Sequence, residues 1–419
     1  MPPDAVDATN ALAQRPHWLR DTVLFVSGQT ISLLGSNLVQ YAIVWYLTLQ
    51  TKSGLVLALA TVFGFVPQAI VSVLGGVWAD RYNRKLLVIS ADAAIAATTL
   101  VLAILLWQGA TGLWPIYLTL AIRSAGAGIQ LPAVGALLPQ VVPGAHLMRV
   151  NGINMSLQSA LTILAPALAA ALFAAFGLQA VLFVDVATAI VGIALVAIIP
   201  VATITGAAHS VGYLDNLRAG LAYVRSHAVI RRTLTLFAAA FFLCAAPGYL
   251  TPLMVVRTFG DEVWRLTANE LAFGVGMLAG GAVIAAVGGL RDRMRMLIWT
   301  AGAFGVLSIA LGLCGNVLGL PGSFWLFLVV MTGFGVGVAA FSTATMTLFQ
   351  EQVEPQMQGR VFGVQGVVLA LAMPLGMVAF GPLADAISVE WVLIAAGVAM
   401  VAVSALAARG APTALAGGR

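Results

Sequence analysis

Charge is what this chain has least of. Only 8% of its 419 residues are Asp, Glu, Lys or Arg, against about a quarter in a soluble domain. A water-soluble fold of this composition would have nothing with which to cover its surface, so that class is excluded. Cysteine is nearly absent. Cys244 and Cys314 stand alone inside apolar runs, which leaves no disulfide framework and no metal-ligand spacing. Histidine is as scarce, and His17, His146, His209 and His227 all fall in polar connecting segments. No H-E-x-x-H or G-x-S-x-G lies in an apolar run, and no G-x-x-x-x-G-K-[ST] occurs. These gaps argue against an intramembrane hydrolase and an ATP-driven pump. No enzyme activity, metal or cofactor is expected.

What is present is hydrophobic length. The chain is 61% hydrophobic, and about 20 apolar residues cross a bilayer as a helix. Twelve runs qualify, at roughly 23–50, 54–79, 86–107, 114–140, 151–176, 179–201, 233–256, 267–290, 296–315, 322–350, 359–384 and 389–408. They are continuous rather than alternating and rich in Ala, Leu and Gly, which predicts helices and not barrel strands. The expected fold is an all-α polytopic membrane protein of twelve transmembrane helices.

Lys and Arg orient it. Sixteen lie in one set of gaps and tails, including Arg81, Arg84, Lys85, Arg149, Arg218, Arg291 and Arg360; three, Lys52, Arg257 and Arg265, lie in the other. The rich set is predicted to be cytoplasmic, with both termini. The net charge of +5 is accounted for by these loops and calls for no nucleic acid. No cleavable signal peptide is visible, and the first span is expected to serve as an uncleaved insertion signal. The protein is expected in the plasma (inner) membrane.

The longest polar interruption, 203–232, separates a six-helix bundle over 23–202 from a second over 233–408, with polar tails at 1–22 and 409–419. Leu214, Leu217, Leu221 and Val224 recur at helical spacing within it, predicting an amphipathic helix on the inner membrane surface, with a plain tether as the alternative. The halves carry a weak repeat. Gly76-x-x-x-Asp80-Arg81 is matched by Gly288-x-x-x-Asp292-Arg293, and Gln140-Val-Val-Pro143 by Gln352-Val-Glu-Pro355. Two related six-helix bundles suit a transporter whose solute site lies at the repeat interface.

Gly76-Val-Trp-Ala-Asp80-Arg81-Tyr-Asn-Arg84-Lys85 resembles the G-x-x-x-D-R-x-x-R-[KR] signature of the major facilitator superfamily. The resemblance extends to the span count, the six-plus-six division and the degenerate second copy, in which Met296 stands opposite Arg84. It implies that Asp80 and Arg81 latch the two halves together when the transporter faces outward, with Arg84, Lys85, Asp292 and Arg293 in supporting positions. From the residues alone, Gly76 would permit close helix approach, and the basic side chains would meet anionic lipid headgroups.

Three charges lie well inside the spans, away from their ends: Asp92 in the third, Arg123 in the fourth and Asp185 in the sixth. Such residues are costly in lipid and mark ion pathways or fixed pairs. Asp92 and Asp185 are candidates for proton coupling, or fixed partners of Arg123. Asp385 and Glu390 flank the last outer loop and are expected to be solvated. Arg123 with Gly126 and Gly128 resembles an arginine–glycine motif of proton-coupled exporters. Ala165-Pro166-Ala-Leu-Ala-Ala170 resembles their G-P-x-x-G-G motif with the glycines replaced, and Pro166 implies a kink.

Asn37, Tyr41 and Trp45 share one face of the first span, and Thr343, Thr347 and Gln350 one face of the tenth. In the family's fold those helices border the central cavity, which implies a substrate pocket that is aromatic, apolar and poor in charge; ordinary interhelical hydrogen bonds are the alternative. Such a pocket suits export of a small hydrophobic or weakly cationic solute; within the superfamily the sequence looks most like the bacterial drug- and macrolide-efflux branch, which implies proton antiport. A proton-coupled or facilitative importer of a sugar or organic acid, and an exporter of a lipid or siderophore, are the competing readings. The expected partners are that solute, protons and membrane lipids, with the chain as a monomer.

Overall fold

The structure, a computed structural model, describes residues 17–201, 213–287, 292–315 and 323–409. Among these residues it is helical, without strands. The helices are α1 (Trp18–Thr51), α2 (Gly54–Arg81), α3 (Arg84–Trp107), α4 (Trp114–Val141), α5 (Leu147–Ile198), α6 (Tyr213–Ser226) and α7 (Ala228–Leu243). Two short ones follow, α8 (Ala245–Tyr249) and α9 (Thr251–Met254), and a π turn, Val255–Phe259. The rest are α10 (Val263–Val287), α11 (Arg293–Leu313), α12 (Phe324–Gln352), α13 (Pro355–Ala386) and α14 (Val389–Arg409).

Among the described residues, ten helical stretches are long and apolar enough to cross a membrane. Two local features separate that figure from the expected twelve. α5 runs through both the fifth and sixth predicted spans, and Gly177 breaks it with φ 77° and ψ −178°, a backbone that glycine alone adopts without steric cost. Val150 and Val196, one on each side of the break, belong to one buried cluster. The chain therefore reverses at Gly177, and α5 is a hairpin of two helical arms. The predicted seventh span is divided among α7, α8, α9 and the π turn, with Pro247 and Pro252 inside it. Each proline removes a backbone donor and interrupts the helical ladder.

The chain forms two compact units. The first joins the residues up to Tyr46 with Phe63–Tyr213; the second joins Leu47–Val62 with the chain from Leu214 onward. The division after Tyr213 falls inside the expected linker. The segment 47–62, which the sequence groups with the first bundle, keeps company with the second unit instead. Asp385 explains part of this. Its carboxylate accepts from Ser53 Oγ and the Gly54 N–H at 2.7 Å and from the Leu55 N–H at 2.9 Å, capping the start of α2. Arg257 pairs with the same carboxylate at 2.8 Å. Glu390 is buried and accepts from Thr258 Oγ1 at 2.7 Å. Both acids are thus bonded, not simply solvated, because folded neighbours bring donors to what reads as a loop.

α6 lies in the linker, and residues 202–212 fall outside the described ones. Val224 packs with Ile230, Leu234, Phe349 and Val361, with Leu217 against the cluster. Val224 and Leu217 of this face are covered by protein, while Leu221 is exposed.

Candidate functional site

α3 carries the polar interior of the first unit. Its buried positions recur at three and four residues, and Asp92 and Thr99 lie on that stripe between Val88 and Leu102. Arg123 of α4 and Asp185 of the second α5 arm are buried beside it. Arg123 Nη1 donates to both Asp185 Oδ2 and Thr99 Oγ1, and Nη2 reaches the Ser36 carbonyl at 3.4 Å. Of the two alternatives for Asp185, the fixed partner of Arg123 is the one present.

Asp92 differs. It is 2% exposed and, among the described residues, no cation pairs with it. Gln130 and Ser32 donate to its Oδ1 at 2.5 and 3.3 Å, while Oδ2 has no bonded partner there. Gln29 sits beside it and also lines a cavity of about 210 Å³ with Phe25, Asn151 and Asn154. That cavity lies at the end of the unit where Phe25, Val88, Val150 and Ile199 cluster. A polar step, Gln29, therefore separates Asp92 from a cavity.

The signature residues do local work. Asn83 caps α3 by accepting from the N–H groups of Lys85 and Leu86. Lys85 Nζ donates to the carbonyls of Ala197 and Ile199 at 2.7 and 2.8 Å, closing the end of α5. Arg84 donates to the carbonyls of Ala79 and Ala136 at 2.9 and 3.0 Å. Arg81 is exposed, and the Asp80 side chain lies outside the described set. Gly76 faces open space, contrary to expectation. The close approach falls one residue earlier, where a Cβ on Gly75 would stand 2.5 Å from the Gly128 carbonyl of α4. In the second copy Asp292 caps α11 through the Arg295 N–H at 3.0 Å, and Arg293 pairs with Glu351 at 3.3 Å. Gly288 lies outside the described residues.

The predicted substrate residues are not gathered into a described cavity. Trp45 is fully buried, with the Tyr41 ring 5.9 Å away, so it is core and offers a solute no face. Asn37 and Thr347 are half-buried, while Thr343 and Gln350 are exposed. Thr343 Oγ1 donates to the Ala339 carbonyl of its own helix at 2.8 Å.

One acidic residue was missed. The eighth span reads from 267, which leaves Glu270 near a rim, but α10 begins at Val263 and carries Glu270 two turns inside. It lines a second cavity, within the second unit, with Phe241, Phe273, Phe304, Phe334 and Phe341. The helix start was hidden by Arg265, whose charge makes 263–266 read as loop.

A model of the Major Facilitator Superfamily matches residues 25–377. Macrolide efflux protein A of Streptococcus pyogenes is 33% identical over 372 residues, covering 88% of this chain and 90% of that protein. The protein of the same name from Enterococcus faecalis is 31% identical over 328 residues, 78% of this chain and 99% of that one. Among solved structures, the nucleoside transporter NupG matches with a TM-score of 0.70 over 93% of this chain and 99% of its own, at 15% identity, a likeness of fold alone. With its apolar helices, its buried charge pair and its signature loop, this chain belongs to the Major Facilitator Superfamily and resembles the macrolide-efflux members along most of its length.

Proposed function

We propose that the protein exports a small lipophilic, weakly cationic solute by alternating access, exchanging it for protons. The observation that carries this reading is the unequal state of two buried carboxylates. Asp185 is neutralised by Arg123; Asp92 has neutral donors only and a cavity one side chain away. A group that alternately holds and releases a proton needs that second environment, where burial favours the neutral acid and water access favours the anion. Asp92 is the proton site, and Asp185 with Arg123 is its fixed electrostatic support. The macrolide-efflux relatives support the outward direction and the solute class.

The two arms of α5 serve as separate crossings, and α7 to Phe259 as one more. With the other nine long helices this makes twelve. Both termini and α6 face the cytoplasm, following the excess of Lys and Arg there. Asp80 and Arg81 act as the latch that biases one access state, while Arg84 and Lys85 hold helix ends of the first unit.

The test is flux in proteoliposomes under an imposed pH gradient, with a macrolide, a lipophilic cation, a lysophospholipid and a sugar compared. Accumulation of the macrolide or the cation against its gradient, collapsed by a protonophore, is expected. Uptake of the sugar alone, or flux indifferent to pH, would overturn the reading.

A further inference from the structure

The second unit holds an acid that the proton reading does not use. Glu270 stands at the wall of a cavity of about 110 Å³ whose other faces include Phe241, Phe273, Phe304, Phe334 and Phe341. Two of these rings come from α12, one each from α7, α10 and α11, so the box is assembled from four helices of one unit. Phe304 lies 5.3 Å from Phe334 and 5.4 Å from Phe341, ring centre to ring centre, so the rings form a continuous wall.

Among the described residues no cation pairs with Glu270, and Asn269 Nδ2 donates to it at 3.3 Å. The cations nearest in sequence are engaged elsewhere: Arg265 pairs with Glu262 at 3.2 Å and Arg257 with Asp385 at 2.8 Å. Among the described residues, the Tyr249 hydroxyl is a titratable group close enough to feel its charge. An ionised carboxylate among phenyl rings is costly unless a cation joins it. Phenyl faces carry negative potential and attract a substituted ammonium, which a hydrated metal ion or a primary ammonium matches less well. The space suits a head group of a few carbons.

We propose that this cavity is a binding site for the substituted ammonium head of a lipophilic amine, with Glu270 as counter-ion and the five phenylalanines as its cage. As a cargo site it rests on the export reading above; as a binding site it does not. The site lies within the second unit, apart from the Asp92 network of the first. One unit then reads the solute's charge while the other handles the proton.

The experiment uses full-length protein in lipid nanodiscs and two dansyl amides of matched shape. One carries a 2-trimethylammonioethyl group and the other its uncharged isostere, 3,3-dimethylbutyl. Fluorescence titration should show the wild type binding the cation more tightly than the isostere. Glu270→Gln should weaken the cation about tenfold or more while leaving the isostere within about twofold. Glu270→Asp should fall between. Equal affinity for the two probes in the wild type overturns the proposal. So does a Glu270→Gln variant that changes neither affinity, or that changes both alike. No gradient enters this measurement, so failure of the export reading appears separately, as absent flux in vesicles of the wild type.

Discussion

The two units solve the problem of polar groups in an apolar interior in opposite ways. The first bonds its groups in two sets: Arg123 with Asp185 and Thr99, and Asp92 with Gln130 and Ser32. The second buries rings and sets one acid, Glu270, against them, bonded to the Asn269 amide and, among the described residues, paired with no cation. A bonded network fixes geometry, because each member loses its partner if another moves. A lone acid in an aromatic box fixes little and leaves its charge for something that arrives. The first arrangement suits a step repeated identically in every cycle. The second suits a visitor of variable shape.

The largest expected effect tests the rigid side of that contrast. Arg123→Gln strands the Asp185 carboxylate, and breaking one side of a buried pair costs about 3–5 kcal/mol. The variant should lose most of its folded yield, read by size-exclusion of fluorescent fusions and by thermal unfolding. Adding Asp185→Asn should recover much of the loss. Failure of the double variant to recover would mean that Thr99 and Ser36, not the acid, anchor Arg123.

Next in size is coupling. Asp92→Asn should abolish pH-driven export while sparing downhill exchange, and Asp185→Asn should retain some pH response. Both fluxes can be measured in the same vesicles. Full pH coupling in Asp92→Asn would erase the proposed distinction between the two acids and move the proton path elsewhere.

The smallest effect sharpens the role of the signature loop. Lys85→Ala removes two donors from the end of α5, worth about 1–3 kcal/mol with a charged donor. It should lower the unfolding temperature by a few degrees and leave the ratio of pH-driven to exchange flux unchanged. A changed ratio with unchanged stability would assign Lys85 to the latch itself.

Much of this was legible in the order of residues. Asp92, Arg123 and Asp185 stand out because charge inside an apolar run has few explanations, and the structure brings Arg123 to Asp185. Glu270 was hidden because a flanking arginine moved the apparent start of its helix. Trp45 was misplaced for a different reason: helical spacing tells which residues share a face, but not what covers it. Asp385 and Glu390 could not be read at all, since donors such as Gly54 and Thr258 lie far away in the chain. Local pattern fixes helices and their faces; long-range partners come only with packing.

The reversal at Gly177 also bears on how the protein is made. The two arms of α5 meet with no polar stretch between them, and Arg149 and Asp185 are the only charged residues in the whole helix pair. Nothing there can wait in water while the second arm is synthesised. If the two arms cross separately, as proposed above, they would enter the membrane together as a hairpin, carrying the Asp185 carboxylate with them. At that moment α4, made earlier in the chain, already carries Arg123. Order of synthesis thus supplies the cation before the acid that needs it.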